Sequence, residues 1–113
     1  MRSITELRRQ VKRRGPTPET LLKRACTRFM KAHGIFSFPV TQGMGSYPGL
    51  PDRIAHYRGQ VYYLEMKTPT GRLSDKQRQF QAKCTVDRIE YHVVRSVDDI
   101  IEIFKIPSLF KRR

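Results

Sequence analysis

Two acids and a lysine, Asp52, Glu65 and Lys67, stand at a spacing that a β-hairpin would bring together. Between the acids lie two short runs, residues 53–57 (RIAHY) and 61–66 (VYYLEM). Both are rich in the β-branched and aromatic residues that suit a pleated, half-buried surface. Arg58-Gly59 separates the central positions, and Gly59 supplies the positive φ that a two-residue hairpin turn needs. With that turn Tyr57 faces Gln60, and Asp52 falls directly opposite Glu65, with Cβ atoms about 5 Å apart on one face. Lys67 shares that face about 6.6 Å further on. Two carboxylates and an ammonium then converge, which suits a reactive site and is a poor way to build a core. A register slip of one residue would turn the same residues into the solvated charges of an ordinary hairpin.

Like charges this close repel, and three arrangements relieve the repulsion: a shared proton, an Arg or Lys clamp, or a divalent cation. For a cation, hard oxygen ligands select Mg2+ or Mn2+, and Mg2+ keeps several waters for chemistry. Such an ion lowers the pKa of one water and stabilises charge developing on a phosphate. Lys67 is placed to orient that water or to neutralise the transition state. His56 shares the face but lies about 13 Å along the strand, too far to join the same ion. His33, His56 and His92 are therefore read as structural or solvent-facing. Cys26 and Cys84 lack Cys-x-x-Cys spacing and fall on apolar helix faces, so they are expected to be buried free thiols in a reducing cytosol.

The surrounding residues carry a family resemblance. Pro48-Gly49-Leu50-Pro51-Asp52, Tyr63-Leu64-Glu65-Met66-Lys67-Thr68-Pro69-Thr70-Gly71-Arg72-Leu73-Ser74 and Lys76-Gln77-Arg78-Gln79-Phe80 together resemble the VRR-NUC domain. That domain is the virus-type replication-repair branch of the PD-(D/E)XK nucleases. The resemblance covers roughly residues 17 to 104; a lone Glu-x-Lys would carry almost no weight, and the joint run of motifs carries much more. It implies that Asp52, Glu65 and the Met66 carbonyl hold Mg2+, with Mn2+ as substitute, and that Lys67 is the catalytic lysine. It also implies a metal-site role for Glu19 and contact with the site for Gln77. Without it, Glu19 is an acid complementing a helix dipole and Gln77 a helix cap.

The activity implied is that of a metal-dependent endonuclease acting on DNA of particular shape. Free-standing domains of the family are similar to dimeric resolvases, so the expectation is a Holliday-junction resolvase that works on four-way junctions as a homodimer. A monomeric flap or nick nuclease, a nonenzymatic DNA-binding module and an RNA- or ribosome-associated basic protein are the alternatives. The expected location is cytoplasmic, in the host cytoplasm for a viral protein.

Charge agrees with a nucleic-acid partner. The 113 residues carry 23 Lys and Arg against 10 Asp and Glu, a net charge of +13. So basic a chain attracts polyanions through phosphate contacts and counterion release. No apolar run approaches a transmembrane helix, and the first 15 residues lack a signal peptide's apolar centre, so no membrane partner is expected. Ribosomal and architectural proteins are equally basic, but a pure DNA binder has little reason to aim carboxylates at phosphates.

These residues must be positioned by an α/β domain, residues 17–107, between a basic arm (1–16) and a basic tail (108–113). In the arm, Arg8, Arg9, Lys12, Arg13 and Arg14 are the expected DNA contacts, with Ser3 and Glu6 at capping-box spacing for a helix over 5–13. Thr17 and Pro18 open a helix that Gly34 closes, with Leu21, Leu22, Ala25, Phe29 and Met30 as its apolar stripe. A strand over 35–40 follows, with Pro39 marking an edge, then a glycine-rich loop at 42–49 that reads as flexible. After the hairpin and a Pro/Gly turn at 68–72, Ser74 and Gln77 form a capping box for a second helix, with Arg72 and Lys76 as phosphate contacts beside it. A strand over 90–95 and a helix capped by Ser96 complete the order α-β-β-β-α-β-α, a PD-(D/E)XK-like mixed sheet flanked by helices.

Overall fold

The computed structural model describes residues 3–5 and 15–107. Arg8, Arg9, Lys12, Arg13 and Arg14, nearly all of the helix expected over 5–13, and the tail at 108–113 lie outside the described residues.

Helix α1 (Pro18–Ala32) begins where the Thr17 side chain accepts the Thr20 N–H, with Pro18 preset for the first turn. Its buried row is Leu22, Cys26, Phe29 and Met30, spaced i, i+4, i+7, i+8. That corrects the expected stripe. Leu21 is 52% exposed and Ala25 is also exposed, because the helix rests on the sheet through the row beginning one residue later, about 100° round the axis. The same rotation turns Lys23 toward Asp52.

The strands β1 (Phe36–Pro39), β2 (Arg53–Tyr57), β3 (Gln60–Met66) and β4 (Glu90–Val94) form one sheet in the order β1-β2-β3-β4. The first two pairings are antiparallel and β3–β4 is parallel. Strand β1 is an edge strand, as Pro39 requires, and is one residue shorter at each end than expected. Ile35 is buried in the core instead, and the Val40 N–H bonds to the Asp52 carbonyl. The hairpin register runs from Tyr57↔Gln60 to Arg53↔Leu64 as the turn demands. Both turn residues have positive φ, Arg58 at 49° and Gly59 at 80°, the geometry of a type I′ turn.

Helix α2 (Asp75–Val86) makes the crossover between parallel β3 and β4 and covers one sheet face, with Phe80 packed on Tyr63 and Tyr91. Helices α1 and α3 (Val97–Phe104) cover the other, where Phe104 meets the Tyr57 and Tyr62 rings edge-on. Between sheet and helices Met30, Leu64, Met66, Val94, Ile100 and Phe104 are buried, each contributing about 1.5–3 kcal/mol. Strand β4 ends at Val94. Arg95, expected in the strand, turns its N–H to the Asp99 carboxylate and its guanidinium to the Thr68 and Gly71 carbonyls. That contact fixes the turn leaving β3.

The β1–β2 loop is tied down more than its glycines suggested. The Gln42 amide donates to the Leu50 and Pro51 carbonyls. Gly49, at φ +85°, approaches α2 so closely that a Cβ would sit 2.2 Å from the Lys76 carbonyl oxygen. Cys26 and Cys84 are buried free thiols. Among the described residues no helix is long and apolar enough to cross a membrane.

Candidate active site

Asp52 stands immediately before β2, and Glu65 is the second-last residue of β3. The Asp52 Oδ2 accepts the Met66 N–H at 2.8 Å, a side chain continuing the ladder beyond Arg53↔Leu64. Its Oδ1 lies 3.2 Å from Lys23 Nζ. Glu65, 1% exposed, projects to the face that α2 covers. Its Oε2 accepts from Gln77 Nε2 at 3.1 Å and lies 3.7 Å from Lys67 Nζ. Its Oε1 is buried with no hydrogen-bond partner.

Gln77 fills both roles that its position allowed. The amide oxygen accepts the Ser74 N–H at 2.8 Å, closing the capping box, while the amide nitrogen donates to Glu65. The first turn of α2 is thereby locked onto the end of β3.

Burial, and after it the negative charge of Asp52, pushes the Glu65 carboxyl up to about 8; Lys67 and Lys23 act in the opposite direction without cancelling this. Without a further cation Glu65 is therefore largely neutral at neutral pH. Tyr91 lies on the same sheet face, two residues before Val93, the β4 partner of Glu65. Its hydroxyl is buried without a partner, and burial together with the charge of Glu65 pushes its ionisation well above the usual phenol range. It stays a neutral donor at the edge of the acid pair.

A buried, unpartnered carboxylate oxygen beside a second carboxylate is a donor set that fits a hard divalent cation. Asp52 and Glu65 are the side chains placed to hold one. Met66 is fully buried next to Glu65, its N–H committed to Asp52. Glu19 stands apart: its half-exposed carboxylate lies 4.0 Å from Lys23 Nζ, and Lys23 separates it from Asp52. Among the described residues no three His, Cys, Asp or Glu side chains gather as a ready metal cluster. Arg72 and Lys76 are exposed at the entry to α2.

Sequence reasoning missed Lys23 and Tyr91. The signal for Lys23 was its i+4 spacing from Glu19, which puts both on one side of the helix. For Tyr91 it was period-two alternation with Val93.

The sheet order and the α2 crossover between parallel strands give a mixed α/β fold of PD-(D/E)XK-like type. The solved structure of a VRR_NUC domain matches with a TM-score of 0.68 at 17% identity, covering 82% of this chain and all of that one. Hjc, a Holliday junction resolvase from the archaeal hyperthermophile Archaeoglobus fulgidus, matches with a TM-score of 0.52 at 20% identity, over 68% of this chain and 67% of that one. The chain has the VRR-NUC-like fold. No protein-family profile matches it, and no curated protein matches its sequence.

Proposed function

We propose that this chain is a divalent-metal-dependent DNA endonuclease selective for branched DNA, a Holliday-junction resolvase acting as a homodimer. The observation that carries the reading is the buried Glu65 carboxyl beside Asp52: its Oε2 accepts from Gln77 and faces Lys67, while its Oε1 has no donor within hydrogen-bonding distance. A fold shared with a protein described as a Holliday junction resolvase supports it. Asp52, Glu65 and the Met66 carbonyl hold Mg2+ or Mn2+, which when bound supplies Lewis-acid stabilisation of charge at the phosphate. Lys67 orients the attacking water or meets the developing charge. Gln77 positions Glu65, Lys23 neutralises Asp52 while no cation is there, and Glu19 contributes from the outer side of Lys23. Arg72, Lys76 and the arm residues Arg8, Arg9, Lys12, Arg13 and Arg14 grip phosphates.

A dimer is supported by the part of the sheet that α2 leaves uncovered. Phe36 is 60% exposed, and Phe38 and Val61 are exposed beside it, with His56 packed between the two phenylalanines. Two copies of so basic a chain repel wherever their charges meet, so an uncharged aromatic face is where a second copy can dock. Phe36→Asp is expected to convert dimer to monomer in analytical ultracentrifugation; a wild-type monomer would remove the dimer from the proposal.

The deciding experiment is cleavage of labelled four-way junctions, flaps, nicked duplex and single strands in Mg2+ or Mn2+. Wild type is expected to make paired symmetric cuts at the junction. Asp52→Asn, Glu65→Gln and Lys67→Ala are expected to bind the junction and cut nothing. Single cuts in flaps or nicks would instead make it a monomer-type nuclease. Tight binding without cleavage of any substrate would make it a nonenzymatic DNA-binding module, and preference for RNA in competition would make it an RNA-associated protein.

A further inference from the structure

The β1–β2 loop and α2 frame a groove of about 340 Å³, lined by Tyr47, Pro48, Lys76, Gln79, Phe80 and Lys83. That volume lies in the range of small-ligand sites. The groove and the acid pair share their scaffold. Lys76 adjoins Gln77, the donor to Glu65, and the close approach of Gly49 to the Lys76 carbonyl joins the groove wall to the segment that ends in Asp52.

The lining is cationic and aromatic, and no carboxylate contributes to it. Asp75, the acid next to Lys76, is ion-paired with Arg78. Tyr47 is 52% exposed yet held in place. Its ring meets Phe80 edge-on at 6.1 Å, Lys83 Nζ lies 5.0 Å from the ring centroid, and the same ammonium donates to the Tyr47 hydroxyl. A large ring kept upright but uncovered gains little burial for the free protein. Lysines flanking an exposed aromatic ring are what binders of unpaired strands use, with the cations on the backbone and the ring under a base. Duplex DNA offers only its phosphates here, because its bases are already stacked on each other.

We propose that this groove is a subsite for an unpaired nucleotide of the bound DNA, its base stacked on Tyr47 and its flanking phosphates held by Lys76 and Lys83. On binding, Lys83 exchanges the Tyr47 ring for a phosphate. The inference rests on the reading of the chain as a nuclease of branched DNA and names the feature that it reads: a base that leaves its pair at the branch point when the DNA binds.

The test measures binding, by fluorescence anisotropy in chelator, of three probes: a blunt duplex, the duplex with a short unpaired thymidine tail, and the duplex with an abasic tail of equal length. Wild type is expected to bind the thymidine tail about tenfold more tightly than the abasic one, the gain from one stacked base. Tyr47→Ala is expected to abolish that difference and Tyr47→Phe to keep it. Lys76→Ala and Lys83→Ala are expected to weaken both tailed probes, because phosphates remain in an abasic tail. Equal binding of the two tails by wild type, or a difference that survives Tyr47→Ala, would overturn the subsite. Failure of the nuclease reading would look different: the tail preference would be present, and no substrate would be cut.

Discussion

At the residue scale, the telling feature is a carboxyl buried beside another carboxyl with one oxygen unsatisfied. Glu65 ionises near 4.5 when unfolded and at about 8 in the fold, chiefly through burial. The folded state therefore binds the extra proton between those values. The stability this contributes is complete below about pH 4.5 and is lost as pH rises through about 8. In chelator, the denaturant midpoint is expected to fall between pH 6 and pH 9, and Glu65→Gln is expected to flatten most of that fall. A wild-type midpoint unchanged across this range would mean that Glu65 is already charged in the metal-free protein. Because proton and cation compete for the same oxygens, divalent-ion affinity is expected to rise over the same pH range.

At the element scale, the N-terminus of α2 does two jobs through one amide. Ser74→Ala removes the cap alone and is expected to cost about 1 kcal/mol in chemical denaturation while leaving the Gln77–Glu65 bond and cleavage in place. Gln77→Ala costs a similar amount and also removes the donor to Glu65, so cleavage per folded molecule is expected to fall. Equal cleavage by the two variants would reduce Gln77 to a cap. The loop before β2 is set in the same way from α2. Gly49→Ala introduces both a backbone clash at Lys76 and a strained positive φ, and is expected to destabilise the fold by on the order of 3 kcal/mol.

At the scale of the whole molecule, a net charge of +13 has to be reconciled with a site built from acids. The site solves this locally: Lys23 sits on Asp52, while burial keeps Glu65 largely neutral beside Lys67, so the acid pair presents little negative charge to an approaching phosphate backbone. Attraction at longer range is expected from the arm. Neutralising Arg8, Arg9, Arg13 and Arg14 together is expected to weaken DNA binding and to reduce the slope of log affinity against log salt by about 0.9 for each phosphate that is no longer neutralised. An unchanged slope would show that the arm does not grip phosphate.

What the sequence determined by itself was local. The hairpin turn set the β2–β3 register, because a two-residue loop leaves one pairing and alternation then sorts the faces. Thr17, Ser74 and Ser96 each cap a helix by accepting a backbone N–H three residues on, a bond legible from spacing alone. The placement of Asp52 against the end of β3 followed from the same register. The tertiary structure decided what depends on how elements pack. The rotation of α1 exposed Leu21 and Ala25 and delivered Lys23 to Asp52, a choice that apolar periodicity leaves open by one residue. The packing of the β1–β2 loop on α2 set Tyr47 against Lys83, 36 residues away, and the fold left Glu65 Oε1 and the Tyr91 hydroxyl without a hydrogen-bond partner. Such arrangements join segments whose relative position is fixed by the buried core between them, and no spacing along the chain encodes it.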